Sequence, residues 1–460
     1  MSFGREGGDV ERDVGEPPAD SASAPARGGL ARIRRLIAGA SGGNVIVILI
    51  GSLIGQGVAF AVSPILTRLY TTADFGLMTV FVSVISILGT GVLFRLDAAI
   101  PLPKADRVAA GIAWWALGLT TVGSAVIWLL QPVVAGPLGR LFASPGLADV
   151  WWLVAVGTFM VGVDQVLLTW MVREKRYRAL GLRNGLQGVG QSAAQLALGP
   201  TVLRSTGLLI GQVIGRIAAV GGLFSSGGLL RQQRPDRRLM RESISRYRRF
   251  PLVSSWSALI NVLGQQAPFL VISAYYGNVV VGLLGLTIRV MVAPASLLGQ
   301  AVGRVFQGEA SAAIRDRDRP LRPIVVANVR VLAALGAPVA IVIMVFGPAI
   351  FRFVFGGEWT EAGRYAQILA LGFLAQLAVS PVSQTLLVLE RQGTQLAWDT
   401  ARLVLAMGAP MLVAILGAGP AAAMVALSAA YVVAYAALFW VCLRASRDYD
   451  DRLRAGTLGR

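Results

Sequence analysis

From Asn44 onward, apolar runs of about twenty residues alternate with short polar breaks. Each run is long enough to cross a hydrocarbon core of about 30 Å as a helix rising about 1.5 Å per residue. Twelve such spans are expected, near 44–66, 76–94, 108–133, 150–171, 179–203, 206–224, 251–274, 279–304, 324–348, 363–388, 396–417 and 420–443. The basic run Gly227–Pro251 divides them six and six. The pattern predicts an all-α polytopic membrane protein with twelve transmembrane helices in two six-helix lobes. The expected parts are a disordered tail over 1–43, a first lobe over 44–224, a basic linker over 225–250, a second lobe over 251–443 and a C-terminal tail over 444–460.

Composition agrees, with 55% apolar and 14% charged residues and a mean hydropathy of +0.65. The formal charge of +18 raises nucleic acid as a partner, but position argues against it. Arginines gather in alternate interspan stretches: Arg32, Arg34 and Arg35 before the first span, Arg173, Arg176 and Arg178 before the fifth, and eight from Arg231 to Arg249. The opposite side carries only Arg68, Arg140, Arg204 and Arg352 between spans. By the positive-inside bias, the termini and the linker are expected in the cytoplasm of a multi-pass plasma membrane protein. The apolar run from Asn44 is too long for a signal-peptide core. A single cysteine, Cys442, excludes an internal disulfide, and the absence of histidine removes the commonest metal ligand and general base. No metal site, cofactor or catalytic residue is expected.

Tyr70 precedes Gly76-Leu77 as Tyr276 precedes Gly282-Leu283, both at the hairpin joining the first two spans of a half, which suggests a parallel repeat. In span five, Asn184, Gln187, Gln191 and Gln195 recur at helical spacing, and span ten carries Gln376, Ser380, Ser383 and Gln384. Such stripes either bind helices together or line a wet central cavity, and two of them in different halves favour the cavity. Arg289 and Arg216 lie about ten residues inside spans eight and six, too deep for easy snorkelling. They either face the cavity or form a buried ion pair, for which Asp164 is the candidate partner. Asp399 and Arg402 have the spacing to pair with each other.

Several junctions carry a resemblance. Pro64-Ile-Leu-Thr-Arg68-Leu-Tyr70 with Asp74-Phe75-Gly76, Arg95-Leu-Asp97 through Lys104, Tyr247-Arg-Arg-Phe250-Pro251, and Phe355-Gly-Gly-Glu358-Trp359-Thr-Glu361 resemble motifs of the Wzx-type oligosaccharide flippases. These belong to the MOP (multidrug/oligosaccharidyl-lipid/polysaccharide) exporter superfamily, which includes the MATE transporters. The resemblance covers about 44–443. It implies two lobes in a V around a central cavity, alternating access, and translocation of undecaprenyl-diphosphate-linked repeat units to the outer leaflet for surface polysaccharide biosynthesis. Arg289 followed by Pro294, and Arg95, resemble arginines of the lipid II flippases. The chain departs from those in helix one, where Gln56 and Ser63 stand in place of a deep arginine.

The expected substrate-binding residues are therefore Arg289, Arg216 and Arg95 for the diphosphate and Gln187, Gln191 and Gln376 for sugars. Asp97 and Asp164 are candidates for a coupling proton or sodium ion. Membrane lipids and the polysaccharide polymerase machinery are the other expected partners. The Phe355–Trp359 stretch is expected to be a turn with an interfacial tryptophan anchor. The rival readings are a drug/cation antiporter of the same superfamily, which would need a cavity dominated by carboxylates, and a non-transporting scaffold for envelope assembly. A polymerase or ligase would need larger extracytoplasmic loops than Ala135–Asp149 and Gly347–Ala362.

Overall fold

The structure, a computed structural model, describes residues 42–201, 204–229 and 254–456. The expected N-terminal tail through residue 41, the basic run 230–253 and residues 457–460 lie outside the described residues. Helices make up nearly all of it, and no strand occurs among the described residues.

The first half of the chain contributes α1 (Gly42–Leu69), α2 (Thr72–Val92), α3 (Asp106–Leu129), α4 (Trp151–Arg173), α5 (Tyr177–Leu198) and α6 (Arg204–Ser225). The second contributes α7 (Ser255–Asp316), α8 (Leu321–Phe355), α9 (Thr360–Val379), α10 (Gln392–Ile415) and α11 (Pro420–Arg454). A short helix, Gln131–Leu141, follows α3, and the turn Ser380–Ser383 with the helix Gln384–Val388 follows α9.

Ten helices among the described residues are long and apolar enough to cross a membrane. Two local causes separate this number from the twelve expected spans. Spans seven and eight form one helical run, broken at Gly277, whose φ of 81° and ψ of 177° only glycine adopts readily. Span five is present as α5, but its two arginines and its amides lower its hydropathy. The expected C-terminal tail differs as well, because α11 continues to Arg454. Its last turns are held in place. Asp450 accepts hydrogen bonds from the backbone N–H groups of Leu321 (2.6 Å) and Arg322 (3.1 Å), capping α8, and the Tyr449 hydroxyl donates to the Ala313 carbonyl at 3.0 Å. Orphan donors at a helix start are thus satisfied by a side chain distant in sequence.

Outward surfaces are apolar, as lipid-facing helices require: Val339, Ile341, Val345 and Phe346 on α8 are exposed, as are Leu412 and Ile415 on α10. The two halves meet chiefly along α2 and α7. A Cβ on Gly76 would overlap the Asn278 carbonyl, and a Cβ on Gly282 would overlap that of Thr72, so both glycines are required by the approach of the two backbones.

These contacts are reciprocal. One constant shift in numbering carries Thr72 to Asn278 and Gly76 to Gly282, and carries Tyr70 to Tyr276. The Tyr70 hydroxyl donates to the Gln195 carbonyl (2.6 Å) near the end of α5, and the Tyr276 hydroxyl to the Ala418 carbonyl (2.9 Å) just after α10. The same shift carries Thr67 to Ser273. The Thr67 carbonyl accepts from the Trp359 indole at 3.2 Å, and the Ser273 hydroxyl donates to the Phe142 carbonyl at 2.7 Å. In each case the first helix of one half bonds to the turn after the third helix of the other. The halves are related as a parallel repeat in these contacts.

Trp359 is 1% exposed and packs edge-on against Phe75, with ring centroids 4.9 Å apart. It is not the expected interfacial anchor. The indole closes the seam between the halves, where burial requires its N–H to find a partner, and the Thr67 carbonyl supplies one.

Candidate functional site

Along α2 the inter-half contacts run from Thr72 to Ser83, whose hydroxyl donates to the Gln266 side-chain oxygen at 3.1 Å. Beyond Ser83 the halves separate, and from Gly89 to Ala98 the first half lines a cavity of about 950 Å³. The cavity lies between the halves and reaches the chain turns at 94–98 and 392–396. It therefore opens at the arginine-rich end, while the seam closes the other.

Its polar lining comes from both halves. The first half supplies Thr90, Arg95, Asp97 and Gln165, and the second Ser254, Ser257, Asn261, Ser383, Gln384, Gln392, Gln395 and Asp399. Amides and hydroxyls predominate. Gln165 donates to Asp97 at 3.3 Å. Asp399 accepts from Asn261 (3.0 Å), Gln395 (3.2 Å) and Arg402 (3.4 Å). Arg402 sits behind the wall, with its guanidinium 5.0 Å from the Trp398 ring centroid and 3.5 Å from the Tyr435 hydroxyl. The expected Asp399–Arg402 pair is thus present, and both side chains are buried.

Arg95 stands exposed at the rim with φ of 57° and ψ of 15°, preceding the turn Leu96–Ala99. No hydrogen bond or ion pair occupies its guanidinium among the described residues. The left-handed backbone there places Arg95 and Asp97 at the same mouth.

Of the residues singled out from sequence, Arg95 and Asp97 line this cavity; Arg289, Arg216, Gln187, Gln191, Gln376 and Asp164 are not among its lining. Arg289 donates to the Ala59 carbonyl of α1 at 3.0 Å, across the seam. Asp164 is paired with Arg183, which also donates to Asn184 at 2.7 Å, and Asn184 donates to Ser52 at 2.8 Å. On the ion-pair reading, Asp164 was the candidate partner of Arg216 or Arg289. Arg216 stands near this pair but donates no bond to it, and its Nε is buried without a partner. Arg183, near the boundary in sequence, takes the carboxylate because α4 and α5 are packed with those turns adjacent.

The amide stripe of α5 faces its neighbours. Gly211 packs on Gln195 and Gly215 on Gln191 and the Gln187 carbonyl, and Gln195 donates to the Leu208 carbonyl at 3.0 Å. The span-ten stripe is divided by the turn at Ser380–Ser383: Ser383 and Gln384 reach the cavity, whereas Gln376 meets the Tyr435 hydroxyl. Sequence reading missed Gln165, Asn261, Gln392 and Gln395. A signal existed for three of them, since Gln392, Gln395, Asp399 and Arg402 recur at helical spacing and Asn261 precedes Gln265 by one turn.

The family model for "polysaccharide biosynthesis protein" matches residues 65–364. No curated protein gives a significant sequence match. Among solved structures, the chain resembles the lipid II flippase MurJ in an inward closed conformation, with a TM-score of 0.67 and 12% identity, over 90% of this chain and 92% of that one. It resembles an inward-facing MATE family multidrug resistance transporter of the MOP superfamily with a TM-score of 0.62 and 15% identity, over 92% and 99%. A MOP superfamily transporter from Pyrococcus furiosus, described as having a binding pocket of reverse polarity, matches with a TM-score of 0.57 and 15% identity, over 89% and 96%. At these identities the likeness is one of fold.

Proposed function

The chain belongs to the polysaccharide biosynthesis protein family and has the fold of MOP superfamily transporters, and on that premise we propose that it is a flippase for undecaprenyl-diphosphate-linked oligosaccharide repeat units. In this reading, residues 44–224 and 251–443 are the two lobes that rock about the α2–α7 seam, in the plasma membrane, with both termini and the cavity mouth on the cytoplasmic side. The polar head enters the cavity while the lipid tail stays in the bilayer between the lobes.

The observation that carries the reading is the cavity itself: a volume of about 950 Å³ walled by amides and hydroxyls from both halves, with Arg95 at its rim. Amides offer donor and acceptor together, and match sugar hydroxyls without fixing one orientation. Arg95 can grip a diphosphate through two parallel N–H bonds. Arg289 and Arg216 act from outside the lining, Arg289 by tying α7 to the Ala59 carbonyl in the mouth-open state. Gln191 and the Gln187 carbonyl pack against Gly215 of α6, and Gln376 supports Tyr435. Asp97 faces the cavity and is the better-placed of the two carboxylates to bind a coupling proton or sodium ion, since Asp164 is already paired with Arg183. A cationic drug would need a cavity dominated by carboxylates, and this lining is mostly amides and hydroxyls.

Liposomes containing the purified chain should translocate a fluorescent undecaprenyl-diphosphate oligosaccharide. The double variant Asn261→Leu/Gln395→Leu should lose most of that rate at equal protein density. Failure of the native chain under proton and sodium gradients of either sign would overturn the proposal.

A further inference from the structure

At the arginine-poor end, where the first half meets the first arm of α7, lies a second cavity of about 250 Å³. Leu130, Val134 and Leu138 recur every four residues through the end of α3 and the short helix after it, and form one wall. Leu88 of α2 lies in another, and Leu270 of α7 brings in the second half. The lining presents no polar surface. Its one indole N–H, that of Trp151, is turned to the Ile127 carbonyl at 2.9 Å. Of the two turns that follow a third helix, the one after α8 is filled by Trp359, packed on Phe75. The one after α3 is bridged by the bond from Ser273 to the Phe142 carbonyl, and Phe142 itself lines the recess.

Leu130, at the lip, is exposed, and so are Val126, Leu129 and Val133 beside it in the chain, as lipid-facing positions require. Water finds no hydrogen-bond partner in such a lining, whereas hydrocarbon gains van der Waals contacts along every wall. Arg140 stands exposed on the same short helix, just past Leu138. A guanidinium there can receive a phosphate through two parallel N–H bonds. We propose that the recess is a lipid site: it takes an acyl chain of an anionic phospholipid resident in the leaflet at this end, and Arg140 receives that lipid's phosphate. The central cavity opens at the opposite end, so a lipid whose head enters it carries its phosphate away from Arg140. The occupant is therefore a resident phospholipid and not a transported one. Its chain touches both halves, Leu270 on one side and Leu88 and Val134 on the other. The site needs only the membrane-spanning fold, and its occupant is independent of what the central cavity carries.

The test places the full chain in phosphatidylethanolamine liposomes holding a small share of phosphatidylglycerol with a diazirine midway along one acyl chain, and maps the photo-adducts by mass spectrometry. Adducts should gather on Leu88, Leu138 and Leu270, several-fold denser than on Val339 and Val345 of α8, which are exposed without lining the recess. Leu270→Trp, which fills the recess, should bring them down to the α8 level. Val134→Phe does the same from the first half if the tryptophan variant fails to fold. Arg140→Gln should lower them about fivefold, the effect of one cation on an anionic headgroup. Adducts no denser in the recess than on α8, or unmoved by either filling variant, would overturn the site. Adducts unmoved by Arg140→Gln would overturn the phosphate contact. Displacement by undecaprenyl phosphate, at a mole fraction where unlabelled phosphatidylglycerol leaves the adducts intact, would give the recess to an isoprenoid chain and overturn the phospholipid assignment.

Discussion

Asp164 is 3% exposed in the middle of α4, and a carboxylate so placed has given up most of its hydration. Arg183 restores its balance, and Asn184 and Ser52 extend the network to α1. Removing one partner leaves the other charge buried alone. Arg183→Ala should therefore destabilise the protein by about 3–5 kcal/mol, whereas Asp164→Ala/Arg183→Ala should cost less than the single change. Thermal unfolding in detergent of the two variants and the native chain would show this order; a double variant no better than Arg183→Ala would mean that the pair is not the stabilising unit. This pairing was not legible in the sequence, because its members lie on different helices and only packing brings them together. Asp399 and Arg402 were legible, since one helical turn separates them. Arg95 and Asp97 were found through their motif, while Gln165, isolated on α4, gave no periodic sign of its role.

The sequence pattern marks helices well where they are uniformly apolar and less well where an element carries a second task. α5 is the clearest case. Its amides make it too polar to register as a span, yet they are what holds it to α6 and α1, so the same residues that weaken the hydropathy signal strengthen the packing. At the other end of the chain, a run of arginines and aspartates reads as a solvated tail. It is helical to Arg454 because Asp450 caps α8 and Arg391 pairs with Asp448 at 2.9 Å. Gly277 is a feature the pattern did mark. The expected spans 251–274 and 279–304 already leave a hairpin there; its backbone conformation turns one long helical run into two arms, and the Tyr276–Ala418 bond beside it fixes where the turn falls. Gly277→Ala should cost roughly 1–3 kcal/mol, because a Cβ is disfavoured at that φ and ψ although nothing crowds the site. The change in unfolding free energy of this variant, set against Gly393→Ala on the surface, would measure the conformational cost; equal effects would show that the break carries no strain.

At the scale of the whole molecule, one end is closed by reciprocal contacts and the other is open. The closure is built from a small number of groups, the Gly76–Asn278 and Gly282–Thr72 crossings and the Phe75–Trp359–Thr67 staple, and its pseudo-symmetry means that loosening one contact strains its counterpart. The repeat was visible in sequence only as Tyr70/Gly76 and Tyr276/Gly282, because the remaining contacts use backbone carbonyls, which any residue supplies. In the proposed transport cycle this end opens when the mouth closes, and on that reading the closure is worth little more than the interactions that replace it. Trp359→Ala removes both a buried indole and its hydrogen bond, and should shift the population toward the outward-open state. A cysteine placed at Thr90, in the cavity wall, reports that shift, because the native Cys442 is 0% exposed and stays silent. In vesicles of defined sidedness, a membrane-impermeant maleimide should label Thr90→Cys from the arginine-rich side alone. Adding Trp359→Ala should make the same site reactive from the opposite side. Labelling from both sides without the tryptophan change would show that the seam does not close the cavity; labelling from one side even with it would show that the staple is not what holds the seam shut, and that the glycine crossings alone suffice.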